Sequence, residues 1–137
     1  MTTAMILAAG SGRRMGGSVP KQFLELCGKP ILAYTLEVFQ QHPGVDRILA
    51  VCPEGLSEPV RTIAERYGIT KLTTILTGGA TRRDSSRIGT EWLEKHGEPT
   101  DVVLIHDGVR PNVEPRVIDE NIRQAQIFGA CETAVET

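Results

Sequence analysis

The sequence predicts an α/β protein, a mostly parallel sheet with helices on both faces. Three observations carry that prediction. Short apolar runs alternate with helix-period segments along the whole chain, and a repeating βα order implies parallel strands joined by crossover helices. The runs at 47–52 (RILAVC) and 102–105 (VVLI) are almost continuously apolar, as strands covered on both sides require. Aromatic residues are few, with 3 Phe, 2 Tyr and 1 Trp among 137 residues, so the core must be mostly aliphatic.

Each element has its own signal. Residues 4–8 (AMILA) form a short apolar run that ends in a glycine loop, the pattern of a buried strand. A brief segment at 23–26 and Gly28-Lys29-Pro30 precede a helix over 31–41, with Pro30 suited to its first turn and Leu32, Leu36 and Phe39 on one face. The strand at 47–52 is closed by Pro53-Glu54-Gly55. Ser57 is placed to cap a helix bearing Val60, Ile63, Ala64 and Tyr67, which Gly68 stops. A strand at 73–77 (TTILT) runs into Gly78-Gly79, and a helix follows from about Asp84 to His96 with Ile88 and Trp92 one turn apart. The strand at 101–106 (DVVLIH) precedes a last helix that starts at Pro115, carries Ile118, Ile122 and Ala125, and ends at Gly129. Residues 131–137 (CETAVET) alternate like the start of a further strand.

Length and charge bound the function. The chain is long enough for one ordinary domain over 1–137. The absence of repeats or a linker agrees with that, and the strand-like tail implies that the domain continues in a longer polypeptide. A formal charge of −2, from 15 Lys+Arg and 17 Asp+Glu, argues against nucleic acid or a membrane surface as partner. No apolar run approaches the roughly 20 residues of a membrane span. The first residues carry their cations after the apolar stretch, the reverse of a secretory signal, which points to the cytoplasm. Cys27, Cys52 and Cys131 are odd in number and far apart, supporting neither a disulfide framework nor a CxxC metal site.

In open parallel sheets ligands bind beyond the carboxyl ends of the strands. Three loops fall there. The first, 8–21 (AAGSGRRMGGSVPK), fails the dinucleotide fingerprint because Met15 stands where its third glycine belongs. It also fails the P-loop pattern, because Ser18-Val19 follows Gly17. What remains is a glycine loop with Arg13, Arg14 and Lys21, able to bring backbone N–H groups and three cations to a triphosphate. A solvated basic loop is the alternative. The loop 106–111 (HDGVRP) places Asp107 where a carboxylate could hold Mg²⁺ against nucleotide phosphates; taken alone, Asp107-Gly108 as a plain turn is the simpler assignment. His106 is expected to be structural. The loop 78–86 (GGATRRDSS) fits either a nucleotide contact through Gly79 and Ser85 or a helix start capped by Asp84 or Ser85.

Together, ILAAGSGRRMG, VPKQFLELCGKPIL, TGGATRRDSS and LIHDGVRP, in this order and spacing, resemble the cytidylyltransferases that join CTP to a polyol phosphate. That family includes 2-C-methyl-D-erythritol 4-phosphate and ribitol-5-phosphate cytidylyltransferases, and the resemblance covers essentially the whole chain. It implies a Rossmann-like nucleotidyltransferase fold and transfer of CMP from CTP to the acceptor phosphate, with pyrophosphate released. By the resemblance Arg14 and Lys21 are the catalytic cations at the α-phosphate. Ala8, Ala9, Gly10 and Gly12 contact cytosine and phosphates with Arg13 nearby, and Gly79 and Ser85 bind the cytidine. Asp107 holds Mg²⁺, Gly108 adds a backbone contact, and Arg110 meets the phosphate of the second substrate. A homodimer is implied for the full-length chain.

Two positions depart from the family pattern. Ala80 stands where many members have an acidic residue, and Gly108 replaces a more usual alanine. The first acceptor implied is methylerythritol phosphate, in isoprenoid precursor synthesis; ribitol 5-phosphate is the second, favoured by the stretch after HDGVRP. A truncated, non-catalytic nucleotide-binding module is the alternative of another class.

Overall fold

The computed structural model describes residues 1–8, 20–97 and 101–134. Strand β1 (Thr2–Leu7) is buried along its whole length. Its apolar side chains point alternately to the two faces, so neither face can be left to water. A single 3-10 turn, Lys21–Phe23, leads into a small antiparallel hairpin of β2 (Glu25–Leu26) and β3 (Lys29–Pro30). Cys27 and Gly28 turn that hairpin with φ of 54° and 76°. Helix α1 (Ile31–Gln41), strand β4 (Arg47–Cys52), helix α2 (Ser57–Arg66), strand β5 (Leu72–Thr77), helix α3 (Arg82–His96), strand β6 (Val102–Asp107) and helix α4 (Pro115–Phe128) follow.

The four long strands form one sheet in the order β5-β4-β1-β6, every pair parallel. The predicted sheet class is therefore correct. One face carries α1, α2 and α4, packed through Leu32, Leu36, Phe39, Val60, Ile63 and Ile118 onto Ala4, Ile6, Ile48 and Ala50. On the other face α3 lies over Met5, Leu7, Leu49 and Val51 through Leu93 and Trp92. Gly89 makes that approach possible, because a Cβ there would stand 2.7 Å from the Met5 sulfur. A glycine inside a helix weakens it by up to about 1 kcal/mol relative to alanine, and here the close contact with β1 offsets that loss.

Several boundaries differ from the sequence prediction. Ser57 is the first helical residue of α2 and caps nothing; Leu56 holds the cap position without a side-chain bond. Neither Asp84 nor Ser85 caps α3 from outside. Thr81 does, its side chain accepting from the Asp84 N–H at 3.1 Å while Asp84 Oδ2 accepts from the Thr81 N–H at 3.3 Å, so the reciprocal box moves the helix start to Arg82. Strand β6 is not covered on both sides, since Val103 and Ile105 are exposed on the face that α3 covers elsewhere. It is an edge strand, and α3 lies over the strands further in. Residues 130–134 form no strand either. Their polar contact is with α4, where Asn121 Nδ2 donates to Thr133 Oγ1 at 2.6 Å, and the rest of the CETAVET stretch lies outside the described residues. The three cysteines are free thiols. Among the described residues, no helix is long and apolar enough to cross a membrane.

Candidate active site

The carboxyl ends of β1, β4, β5 and β6 meet at one end of the sheet, and buried uncharged groups hold the backbone there. Ala8, next after β1, donates its N–H to the Val51 carbonyl at 2.8 Å. Its own carbonyl accepts from the Gln22 side-chain amide at 2.6 Å, in a fully buried bond. That bond fixes the 3-10 turn, and with it the exposed Lys21, against the end of β1. Ala9, Gly10, Gly12, Arg13 and Arg14 lie outside the described residues.

Asp107 is the last residue of β6 and the register partner of Leu7. It is therefore a strand residue with a fixed backbone that also opens a turn, its carbonyl accepting the Arg110 N–H at 3.2 Å. Its two carboxylate oxygens receive separate arginines, Oδ1 from Arg82 Nε at 3.0 Å and Oδ2 from Arg110 Nε at 3.2 Å. Both arginines are more than 60% exposed, against 28% for Asp107. Gly108 donates to the Leu7 carbonyl at 2.9 Å and accepts from the buried Thr35 hydroxyl at 2.7 Å. A Cβ at 108 would stand 3.0 Å from the Leu32 Cδ1 methyl, a flexible side-chain end, which agrees with an alanine being accepted there by a small shift.

His106 is part of the frame. Its Nε2 lies 2.9 Å from the Arg110 carbonyl, which can only accept, so that nitrogen carries the proton. Its ring tilts against Phe39 at 5.1 Å. Burial lowers its pKa, opposed by the bond to the Arg110 carbonyl and by the Asp107 charge.

The double glycine after β5 has a steric reason. A Cβ at 78 would come within 2.4 Å of Ser85 Oγ, and one at 79 within 2.4 Å of the Asp84 Cβ. Ser85 is fully buried, and its Oγ accepts from the Gly79 N–H at 3.2 Å. The hydroxyl thus holds the exposed Gly79 backbone from beneath.

The structure therefore brings Ala8, Lys21, Gly79, Ser85, Asp107, Gly108 and Arg110 to one end of the sheet. Reading the sequence alone missed Gln22, Thr35 and the pairing of Arg82 with Asp107. Thr35 carried a usable signal: it falls on the same α1 stripe as Leu32, Leu36 and Phe39, and a hydroxyl on a buried stripe must find an acceptor. Gln22 had none, because its partner is a backbone carbonyl 14 residues away.

Chemically, the site offers exposed cations around one carboxylate. Among the described residues, no group of three or more His, Cys, Asp and Glu could hold a metal by itself. Mg²⁺ takes one or two carboxylates and fills its remaining positions with water and phosphate oxygens. The Asp107 donor set fits a cation shared with a nucleotide, once the exposed arginine pairs give way. A groove leads from Arg82, Asp107 and Arg110 along the free edge of β6 toward α4.

Comparison with known proteins identifies the family. Residues 2–136 match the family model of 2-C-methyl-D-erythritol 4-phosphate cytidylyltransferase, IspD. The ribitol-5-phosphate cytidylyltransferase of Lacticaseibacillus paracasei is 36% identical over 98% of this chain and 58% of its own length. The 2-C-methyl-D-erythritol 4-phosphate cytidylyltransferase of Syntrophotalea carbinolica is 41% identical over 96% of this chain and 56% of its own. The crystal structure of 4-diphosphocytidyl-2C-methyl-D-erythritol synthase from Anaerococcus prevotii superposes with a TM-score of 0.71 at 28% identity, covering 92% of this chain and 51% of that one. The chain thus spans little more than half the length of these relatives. By the match over nearly all of its own length, it belongs to the 2-C-methyl-D-erythritol 4-phosphate cytidylyltransferase family.

Proposed function

We propose that the protein transfers CMP from CTP to a polyol phosphate and releases pyrophosphate. The observation that carries this proposal is the convergence of the Lys21 turn and Asp107 on the end of β1, through the Gln22 bond to Ala8 and the pairing of Asp107 with Leu7. A phosphate oxygen of the acceptor, already ionised at neutral pH, attacks the α-phosphorus in line. The bond from that phosphorus to the bridging oxygen breaks, and pyrophosphate carries away the electron pair. No protein base is required. The protein's work is placement and charge neutralisation, which Lys21 and Arg14 supply at the α-phosphate. The Gly79 backbone, held from beneath by the buried Ser85 hydroxyl, receives the cytidine, and Arg110 meets the acceptor phosphate. Asp107 would hold Mg²⁺, which when bound adds positive charge against the triphosphate.

We assign 2-C-methyl-D-erythritol 4-phosphate as the acceptor. Ribitol 5-phosphate is the second reading, supported by the relative that carries that name and matches 98% of this chain. A cytoplasmic, homodimeric enzyme with one nucleotidyltransferase domain belongs to the same proposal, on the strength of the family resemblance. The test is pyrophosphate release from CTP with each polyol phosphate in turn, beside calorimetry with CTP and NAD. Release with methylerythritol phosphate supports the first reading, and release with ribitol 5-phosphate alone moves the assignment to the second. Binding of CTP without release makes the chain a nucleotide-binding module. Tighter binding of NAD than of CTP overturns the proposal.

A further inference from the structure

We infer that Gln22 is a positioning residue for the transfer, acting through Lys21. This rests on the reading of Lys21 as the charge at the α-phosphate. The Gln22 side chain is 1% exposed, and its amide donates to the Ala8 carbonyl at 2.6 Å. Burying an amide is unfavourable unless it is bonded, and an apolar residue of similar length would fill the same space without that requirement. The bond must therefore do something that packing would not.

What it does follows from the bonds around it. Phe23 N–H donates to the Pro20 carbonyl at 2.9 Å and Leu24 N–H to the Lys21 carbonyl at 3.2 Å, so residues 20–24 form one small rigid unit. Ile31 N–H donates to the Leu24 carbonyl at 2.9 Å and ties that unit to the start of α1. None of these three bonds reaches the sheet. Gln22 does, at Ala8, the first residue of the glycine loop, while the Ala8 N–H is held by Val51 at 2.8 Å. Among the described residues, the hydrogen bond that places the Lys21 backbone relative to the β1 and β6 ends, where Asp107 stands, is thus this side-chain amide, while Phe23 adds packing on the core. Lys21 itself is exposed, so its backbone placement decides where the ammonium can reach. A displacement of about 1 Å in a reacting group can cost roughly a hundredfold in rate.

A Gln22 that only fills the core would weaken the fold without regard to Lys21. A positioning Gln22 is coupled to Lys21, and a double-mutant cycle separates the two cases. Gln22→Met, Lys21→Ala and the double variant are assayed for CMP transfer, each with far-UV circular dichroism as a check on folding. Gln22→Met should lower kcat by about tenfold to a hundredfold and leave KM for CTP within a few-fold. In the Lys21→Ala background the same substitution should cost less than about threefold more. Equal losses in both backgrounds, or a folded Gln22→Met with the original kcat, overturn the positioning role and leave the reading of Lys21 standing. An unchanged kcat in Lys21→Ala overturns that reading and this inference with it. Should Gln22→Met fail to fold, the cycle runs with Gln22→Asn, which keeps the amide but is too short by one methylene to reach Ala8; the same outcomes decide.

Discussion

The two ends of the sheet handle charge in opposite ways. At the amino end, charged groups are paired within the fold, and Arg47 and Asp101 are largely shielded. The Met1 ammonium lies 3.5 Å from Asp101, which also meets Arg47 at 3.6 Å, and Arg47 Nε donates to Thr3 Oγ1 at 2.7 Å. His42, buried beside these strands, accepts the Gly44 N–H on Nδ1, so its Nε2 donates to Asp119 at 2.8 Å. At the carboxyl end the buried groups are neutral. Gln22, Thr35 and Ser85 hold backbone atoms, while Lys21, Arg82 and Arg110 stand in solvent. The amino end spends its charges on the fold, whereas the carboxyl end keeps a rigid frame with charges available to an anion.

The largest expected effect tests whether those outer charges act in the reaction. Lys21→Ala should lower kcat by about 10²–10³, roughly 2.7–4 kcal/mol, because charge develops on the α-phosphate oxygens only as the acceptor attacks. KM for CTP should change only a few-fold, and Lys21→Arg should not rescue fully, since the planar fork differs in reach from a compact ammonium. A strong rise in KM with kcat intact would make Lys21 a binding residue only. Arg47→Met gives the contrast from the other end. It removes a half-buried partner of Asp101 and Thr3 and should lower stability by about 1–3 kcal/mol, with kcat per folded molecule unchanged. A loss of kcat there would break the division between the ends.

Asp107→Asn comes next. The variant keeps the shape but loses the charge that draws in Arg82 and Arg110, and with it the proposed cation site. By calorimetry, CTP affinity with Mg²⁺ should fall about tenfold or more, and affinity without Mg²⁺ should fall less or rise, since two guanidinium groups are released toward the phosphates. Equal losses under both conditions would return Asp107 to a structural role.

Much of this division was legible in the sequence. Helix α1 and strand β4 fall where the apolar pattern puts them, at Ile31–Gln41 and Arg47–Cys52, because both depend on local periodicity. The three loops were found by their glycines and charges. What was not legible depends on partners distant in the chain. Thr35 bonds Gly108 across 73 residues, and Arg82 reaches Asp107 across 25. The exposure of Val103 and Ile105 follows from the edge position of β6, which strand order decides and composition does not. Ser85 fitted either a hydroxyl offered to a ligand or a helix cap; its burial beneath Gly79 follows from α3 beginning two residues earlier, at Arg82.

Thr35→Val tests the neutral frame with a smaller effect. The shape is nearly kept, but the Gly108 carbonyl loses its buried donor, at about 1–3 kcal/mol. Denaturant midpoints should fall at an unchanged slope. Retained stability would mean that Leu7, which accepts from the Gly108 N–H, holds the turn alone.

The smallest effect concerns His106, a titratable group at the carboxyl end that the division assigns to the frame. It packs on Phe39 and bonds the Arg110 carbonyl, with the Asp107 and Arg110 charges beside it. Burial outweighs the raising influences and places its folded-state pKa below the ordinary value of 6.5. The unfolded chain therefore binds a proton more readily than the folded one. The stability this gives is fully present above about pH 6.5 and is lost as the pH falls through the depressed folded value. His106→Gln should cost a little stability at pH 7.5 through lost packing, yet flatten the fall in Tm between pH 7.5 and 5.5 relative to the original protein. An equally steep fall in the variant would show that other groups carry the acid sensitivity, and that His106 is less enclosed than the frame requires.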